Sequence, residues 1–257
     1  MESWLTLEEA VAAPGLRIAL VKGVASPWSE LCRAIYVASG IPFRLVAAHD
    51  PKRGLSVLRP LTGQESLPVV FWNDERPRSN WLEQLHLAER LGGSRALLPT
   101  TPIERARATG LLAELCAERG FGWQRRILLI HHLLTAPAFG EAERRIGHYL
   151  GAKYGYAPEA VAPAAARCEA IVAAMAALAS GGDGSLLGSE LTALDLGWAT
   201  FAALIQPLPD AVCPMEPLWR ELWTWTPEET APEAVRGLLA RRDAIYEQCG
   251  LLPVPTR

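Results

Sequence analysis

The stretch LRIALVKGVASPWSELCRAIYVASGIPFRLVAA, residues 16–48, decides the fold of the first half of this chain. Residues 16–24 form a β-rich run between turn signals, which predicts a strand. Residues 27–39 follow with apolar side chains at helical spacing, and Gly-Ile-Pro at residues 40–42 ends the predicted helix. Residues 43–48 predict a second strand. The stretch therefore predicts a β-α-β unit.

The residues that follow extend this unit to a small α/β domain. An irregular segment marked by Gly and Pro covers residues 51–66, and PVVFW at residues 68–72 predicts a third strand. Residues 79–91 predict a helix that Gly92 stops. The order β-α-β-(α)-β-(β)-α permits a right-handed βαβ unit followed by a hairpin. We therefore predict an α/β domain over residues 1–92.

The second half of the chain shows only helical patterns. Leu-Leu-Pro-Thr-Thr-Pro lies within residues 93–103 and predicts a linker. An all-helical domain is predicted over residues 104–257. Its helical patterns cover residues 104–135, with a bend at 120–122, and residues 137–155, 158–180, 192–204, 217–225 and 232–248.

Composition narrows the functional classes. The chain has 257 residues, half of them apolar, and a net charge of −3, so it offers no broad cationic surface to nucleic acid. The longest apolar run, near residues 127–134, is interrupted by His131 and His132 and is too short to cross a bilayer. The beginning of the sequence shows no secretory leader. We therefore expect a cytoplasmic protein with no membrane or nucleic-acid partner.

The cysteine pattern predicts neither a disulfide framework nor a metal site. There are five cysteines, an odd number, and they form no Cys-x-x-Cys pair and no metal-ligand spacing. They are Cys32, Cys116, Cys168, Cys213 and Cys249. Reduced thiols of this kind are typical of cytosolic proteins, and we expect no bound metal.

Five short patterns, in this order, resemble the glutathione transferase superfamily. Ser-Pro-Trp-Ser at residues 26–29 resembles the helix start of serine-type members such as the tau class, and Leu-Pro-Val-Val at 67–70 resembles the strand that begins with a cis-proline. Arg-Ser at 78–79 stands where the family usually has Glu-Ser. Residues 97–107 resemble the interdomain linker with the first helix after it, and Leu-Thr-Ala-Leu-Asp at 191–195 resembles the family's capping motif. The resemblance implies a thioredoxin-like N-terminal domain followed by an all-α domain.

This resemblance implies that Ser26 stabilises the thiolate of bound glutathione. A free thiol has a pKa near 8.5, so at neutral pH it is mostly protonated, and a hydroxyl donor at a helix N-terminus favours the ionised form. Ser26 precedes Pro27, a favoured first helical residue, and therefore stands at the predicted N-cap. The alternative is that Ser26 only caps the helix. Ser29 is a second, weaker candidate.

The remaining glutathione-binding residues implied by the resemblance are Trp28, Leu67, Pro68, Arg78 and Ser79. The Leu67 backbone would pair with the cysteinyl part of the ligand, although Pro68 is equally compatible with the start of an edge strand. Ser79 would begin a helix and offer its hydroxyl and N–H to the γ-glutamyl carboxylate, or would only cap that helix. Arg78 departs from the family pattern, because arginine repels an ammonium group and binds a carboxylate.

The helical domain offers a candidate second-substrate pocket and a structural motif. Phe121, Trp123 and Arg125 could form an aromatic wall with a guanidinium for an apolar, acidic compound, or could belong to the core between helices. Thr192 and Asp195 are predicted to form a capping box that stabilises a helix and takes no part in chemistry.

Three functions remain open from the sequence. The first is an enzyme, a glutathione transferase that conjugates the glutathione thiolate to a small electrophile. The second is a binding or interaction module without turnover, which Arg78 favours. The third is a glutathione-dependent isomerase, a reaction found among serine-type members. The resemblance also implies a homodimer.

Overall fold

The computed structural model describes residues 4–50, 52–181 and 184–255. The chain forms two compact units. The first comprises Met1–Pro99, Pro209–Glu216 and Tyr246–Arg257, and the second comprises Thr100–Leu208 and Pro217–Ile245. The chain first passes from one unit to the other inside the segment predicted as a linker. Two later segments of the first unit come from the range predicted as the helical domain.

The first unit contains a four-stranded mixed sheet. Its strands are β1 (Leu5–Thr6), β2 (Leu16–Ala19), β3 (Arg44–Ala47) and β4 (Val69–Trp72), and their order across the sheet is β1-β3-β2-β4. Strand β3 lies parallel to β1 and β2, whereas β4 is antiparallel to β2. Ile18 of β2 therefore pairs with Leu45 on one side and Val70 on the other. All four residues of β2 are buried, as expected for a central strand.

Four α-helices and a 3₁₀ turn accompany this sheet. The helices are α1 (Leu7–Ala12), α2 (Pro27–Ala38), α3 (Arg59–Thr62) and α4 (Trp81–Leu91), and the 3₁₀ turn is Leu55–Leu58. Helix α2 is the crossover that joins the parallel strands β2 and β3. The β-α-β unit predicted from residues 16–48 is therefore confirmed.

Two details of the first unit differ from the prediction. Strand β1 and helix α1 are not predicted from the sequence, because two residues of strand and six of helix are too short for a periodic pattern. The predicted hairpin partner of β4 is a single bridge, in which Val70 and Arg78 exchange backbone hydrogen bonds of 2.9 Å. Pro77 before this bridge and the cap of α4 at Asn80 leave no room for a longer strand.

The second unit is built from helices in the residues that the structure describes. They are α5 (Pro102–Cys116), α6 (Phe121–Thr135), α7 (Glu141–Tyr154), α8 (Val161–Gly181), α9 (Ala193–Phe201), α10 (Pro217–Trp223) and α11 (Pro232–Gln248), of which the last turn of α11 belongs to the first unit. Together with the mixed sheet, these helices confirm the predicted fold class, a thioredoxin-like α/β part and an all-α part.

The bend predicted at residues 120–122 is a break between two helices. A side chain at Gly120 would place its Cβ 2.8 Å from the Ala113 carbonyl oxygen and 2.9 Å from that of Ala117. Arg119 before it has a left-handed φ of 66°. Only glycine fits this close approach, so α5 ends and α6 begins here.

One helical stretch corrects the expectation that no apolar run is long enough to cross a membrane. Pro158–Gly181 spans 24 residues with a mean hydropathy of 1.5 in its most apolar window, a third of which is buried. The core helix of a water-soluble protein meets the same criteria of length and composition. The sequence predicts this helix at residues 158–180, but its apolar residues are mostly alanine, so it does not stand out as a strongly apolar run.

The capping box at the start of α9 is confirmed. The Asp195 carboxylate accepts hydrogen bonds of 2.8 Å from the Thr192 backbone N–H and from the Thr192 hydroxyl. It accepts two more, also of 2.8 Å, from the Ser185 hydroxyl and the Leu186 N–H. This buried carboxylate therefore ties the preceding loop to the helix.

Candidate functional site

Ser26 stands at the N-cap of α2, as predicted. Its carbonyl accepts the first helical hydrogen bond from the Glu30 N–H at 2.8 Å, and Pro27 occupies the first helical position. The Ser26 hydroxyl makes no capping hydrogen bond to the helix, although the residue is only 8% exposed. The hydroxyl therefore lies at the positive end of a twelve-residue helix without serving the usual function of an N-cap side chain.

The other two candidates on this turn have different surroundings. The Ser29 hydroxyl accepts a hydrogen bond of 3.2 Å from the Val21 N–H, and Ser29 is 2% exposed. Ser29 therefore fastens the loop after β2 to α2, which gives its hydroxyl a structural partner. Trp28 is half-buried on the first turn of α2.

The Leu67–Pro68 peptide bond is cis, as the resemblance implies. The buried Gln84 side chain of α4 donates from Nε2 to the Pro68 carbonyl at 3.2 Å and to the Arg78 carbonyl at 3.1 Å. The Tyr36 hydroxyl of α2 donates to the Gln84 carbonyl at 2.9 Å. Gln84 thus joins the two segments on which the predicted ligand contacts lie.

Sequence reasoning missed Gln84, because its two acceptors are six and sixteen residues away in the chain. The signal that could have found it is local. Gln84 is a polar residue on the apolar face of α4, beside Leu85 and Ala88, which are also buried. A buried amide normally has hydrogen-bond partners, so such a position predicts a structural contact.

The prediction that a helix begins at Ser79 was wrong by two residues. Helix α4 begins at Trp81, and its N-cap is Asn80, whose Oδ1 accepts from the Leu82 N–H at 2.9 Å. Ser79 lies between this cap and the backbone bridge at Arg78 and is half-buried. Asn and Ser are both strong N-caps, so the sequence alone does not choose between adjacent positions.

Arg78 belongs to an ion cluster. Its guanidinium binds the Glu75 carboxylate, and Arg90 of α4 donates to the same carboxylate at 2.6 and 2.8 Å. These hydrogen bonds, from Arg90 first and then from Arg78, lower the pKa of Glu75. Two guanidiniums therefore share one carboxylate, and the cluster of these three groups carries a net positive charge.

A cavity of about 730 Å³ opens in the first unit at the carboxyl ends of β2 and β3. It is lined by Leu20, Val21, Lys22, Gly23, Ala47, Ala48, His49, Leu55 and Leu67. Most of this lining is apolar, and Lys22 and His49 add basic groups. Ligands of open α/β sheets bind at this end of the strands. Of the predicted binding residues, Leu67 lines the cavity, whereas Ser26, Trp28, Pro68, Arg78 and Ser79 are not among its lining residues.

The predicted second-substrate residues separate into two groups. Phe121 is fully buried and Arg125 is 4% exposed. Both meet Trp225, with 6.1 Å between the ring centroids of Phe121 and Trp225 and 5.0 Å from the Arg125 guanidinium carbon to the Trp225 ring. Trp123 is half-buried and packs edge-on against Tyr154, at 5.1 Å between centroids. The burial of Phe121 and Arg125 favours the interpretation as interhelix core.

Among the residues that the structure describes, no group of three or more His, Cys, Asp or Glu side chains is placed to hold a metal ion. No family model matches the sequence. No curated protein is significantly similar to it.

Solved structures share the fold. The beta-etherase LigF from Sphingobium sp. strain SYK-6 has a TM-score of 0.62 at 16% identity, covering 90% of this chain and 94% of that one. A glutathione S-transferase from Xanthobacter autotrophicus Py2 has a TM-score of 0.59 at 17% identity, covering 94% and 98%. A maleyl pyruvate isomerase, described as a bacterial glutathione S-transferase of the Zeta class, has a TM-score of 0.55 at 17% identity, covering 91% and 95%. The chain therefore has the fold of the glutathione transferases.

Proposed function

We propose that this protein is a glutathione transferase, in which the Ser26 hydroxyl stabilises the glutathione thiolate for attack on a small electrophile. The observation that carries the proposal is the Ser26 hydroxyl itself, which stands at the N-terminus of α2 and makes no capping hydrogen bond. The fold shared with glutathione transferases and the cavity at the carboxyl ends of the strands support it.

The physical basis is control of the thiol pKa. A thiol with a pKa near 8.5 is only a few per cent ionised at neutral pH. A hydroxyl donor and the dipole of a helix N-terminus both stabilise the anion, and each unit by which they lower the thiol pKa corresponds to about 1.4 kcal/mol. At the start of α2, Ser26 supplies the hydroxyl and the first turn supplies the dipole.

The rest of the ligand would lie along β4 and the start of α4. The backbone of Leu67, just before β4, would pair with the cysteinyl backbone as an added strand does. Ser79 and Arg78 would receive the γ-glutamyl carboxylate, which suits the positive charge of the ion cluster. Glu75 already binds two guanidiniums, so it is a weak partner for the ligand's ammonium group.

The test is conjugation of glutathione to a chlorinated dinitrobenzene by wild type and by Ser26→Ala. Loss of thiolate stabilisation predicts a fall in kcat/KM of about 10- to 100-fold, since such a hydrogen bond to an anion contributes about 1.5–3 kcal/mol. Ser56→Ala, which alters an exposed hydroxyl bonded to the Arg53 carbonyl, is the matched control and keeps the wild-type rate. Equal rates for wild type and Ser26→Ala would remove Ser26 from the mechanism.

The second candidate function is a binding module without turnover. The ion cluster of Glu75, Arg78 and Arg90 favours it, because it places net positive charge where the family usually has an acid. Calorimetric titration with glutathione separates the candidates. Binding in the micromolar-to-millimolar range supports the enzyme, whereas no heat at millimolar glutathione supports the module.

The similarity to a maleyl pyruvate isomerase keeps a third candidate, a glutathione-dependent isomerase, within the same site. In that reaction glutathione is regenerated, so product analysis with substoichiometric glutathione distinguishes isomerase from transferase. We also propose a cytoplasmic homodimer, as the resemblance implies, and light scattering of the purified protein tests the dimer.

A further inference from the structure

The cavity in the first unit has aliphatic walls and a basic, exposed edge. Its walls come from six buried or half-buried residues, namely Leu20, Val21, Ala47, Ala48, Leu55 and Leu67. Leu55 and Leu67 also pack against the hydrophobic core of this unit. Three exposed residues, Lys22, Gly23 and His49, complete the lining. Apolar and charged groups are therefore separated within one cavity.

Lys22 supplies positive charge at this edge. Its ammonium nitrogen lies 5.7 Å from the ring centroid of Trp4, a contact that positions the side chain and leaves N–H donors for other partners. Within the described part of the chain, the Lys22 side chain has neither a hydrogen bond nor a salt bridge. The donors of this ammonium group therefore remain for water or for a ligand.

His49 places a second donor at the same edge. Lys22 follows β2 and His49 follows β3, so the two basic residues come from neighbouring parallel strands. The carboxylate of the next residue, Asp50, accepts hydrogen bonds from the backbone N–H groups of Lys52 and Arg53, at 2.8 and 2.7 Å. These bonds, that of Arg53 first, lower the pKa of Asp50, and the charge of His49 is the smallest cause. Asp50 is therefore held within its own turn.

The composition of this lining favours an amphipathic ligand. A volume of about 730 Å³ is within the usual range of small-molecule sites. The aliphatic walls gain most from an apolar ligand, because burial of apolar surface stabilises the complex. Both ionisable lining residues, Lys22 and His49, are basic, so the edge suits an anion. Glutathione is polar along its length, and of its proposed contacts Leu67 alone lies in the lining.

We propose that this cavity is a binding site for a small aliphatic carboxylic acid. The hydrocarbon chain would lie against the walls, and the carboxylate would accept hydrogen bonds from Lys22 and His49 at the exposed edge. This binding goes beyond the glutathione chemistry proposed for Ser26 and does not depend on it, because Ser26 is not among the lining residues.

The test titrates octanoate and octanamide into the full-length protein without glutathione and follows the heat of binding. The proposal predicts that octanoate binds at least about ten-fold more tightly than its neutral amide, because only the acid forms the charged contact. Acetate, which has the charge without the chain, is predicted to bind more weakly than octanoate. Equal affinity for acid and amide, or no binding of octanoate at millimolar concentration, would overturn the proposal.

Variants assign the charge preference and the walls separately. The double variant Lys22→Met with His49→Gln, which alters two exposed side chains, is predicted to abolish the difference between octanoate and octanamide. Ala47→Leu, which reduces the cavity, is predicted to weaken both ligands several-fold and to keep the difference. Lys52→Met is the matched control, because Lys52 is an exposed lysine outside the lining.

Lys52→Met and Ser26→Ala are both predicted to keep the wild-type affinities for octanoate and octanamide. An unchanged preference for octanoate in the double variant contradicts the proposal even if Ala47→Leu does not fold. Loss of the preference in Lys52→Met contradicts it as well, because the preference would then reflect the general charge of the surface.

Discussion

Helices α2 and α9 each begin at a buried hydroxyl residue, and the two hydroxyls have different partners. Thr192 at the start of α9 is 7% exposed, and its hydroxyl donates to Asp195 at 2.8 Å. Ser26 at the start of α2 is 8% exposed, and its hydroxyl makes no capping hydrogen bond. The two residues are equally buried, but the Thr192 hydroxyl has a side-chain partner within its own helix, whereas the Ser26 hydroxyl does not cap its helix. Residue type and position at a helix start therefore do not distinguish a structural cap from a candidate ligand contact.

The largest loss of stability is expected at the start of α9, where the Asp195 carboxylate accepts four hydrogen bonds. Asp195→Ala removes four hydrogen-bond acceptor contacts and leaves the donors of Thr192, Ser185 and Leu186 unpaired in a buried place. We expect a loss of about 3 kcal/mol in the free energy of unfolding. Urea denaturation measures it.

The matched control for Asp195 is Glu104→Ala at the exposed start of α5, where Glu104 accepts from the Thr101 hydroxyl at 2.8 Å. Exposure should limit that loss to about 0.5 kcal/mol. Equal losses in the free energy of unfolding at the two helix starts would mean that burial does not determine how strongly the capping box stabilises α9.

A smaller effect is expected where the structure corrects the sequence at α4. Asn80→Ala removes the side-chain cap on the Leu82 N–H and should cost about 1 kcal/mol of stability. Ser79→Ala, one residue earlier, should leave stability nearly unchanged while weakening glutathione binding. Thermal unfolding of the two variants compares them directly, and a larger loss for Ser79→Ala would restore Ser79 as the cap.

The smallest effect is a change in the pH dependence of stability, caused by the ion cluster of Glu75, Arg78 and Arg90. Hydrogen bonds from Arg90 and Arg78 lower the pKa of Glu75 from its ordinary value of 4.5. A carboxylate with a lowered folded pKa contributes fully above the unfolded value, and that contribution disappears as the pH falls through the folded value. Glu75→Gln should therefore flatten the fall in stability below about pH 4.5. An unchanged acid profile in this variant would contradict the assignment.

Much of the fold could be predicted from residues close together in the chain. The run of apolar residues in β2, the helical spacing after Pro27 and the box at Thr192 and Asp195 are all local patterns, and the structure contains each of them. Local patterns reach their limit where an element is very short, as with β1 and α1, or where two capping residues are adjacent, as with Ser79 and Asn80.

The site could be predicted only in part, because some of its contacts join distant residues. Gln84 reaches Pro68 and Arg78 from another element, and Trp225 meets Arg125 a hundred positions away in the chain. Neither pairing leaves a periodic or spacing signal. The charge of Arg78 was visible in the sequence, but its ion pair with Glu75 required the structure.

The account depends most on the claim that the Ser26 hydroxyl is available to a thiolate. The direct measurement is the ultraviolet absorbance of protein-bound glutathione as a function of pH, for wild type and Ser26→Ala of equal stability. The account predicts a thiol pKa about one to two units below the free value of about 8.5 in wild type, and a pKa close to the free value in Ser26→Ala. The same titration curve in both proteins would contradict it.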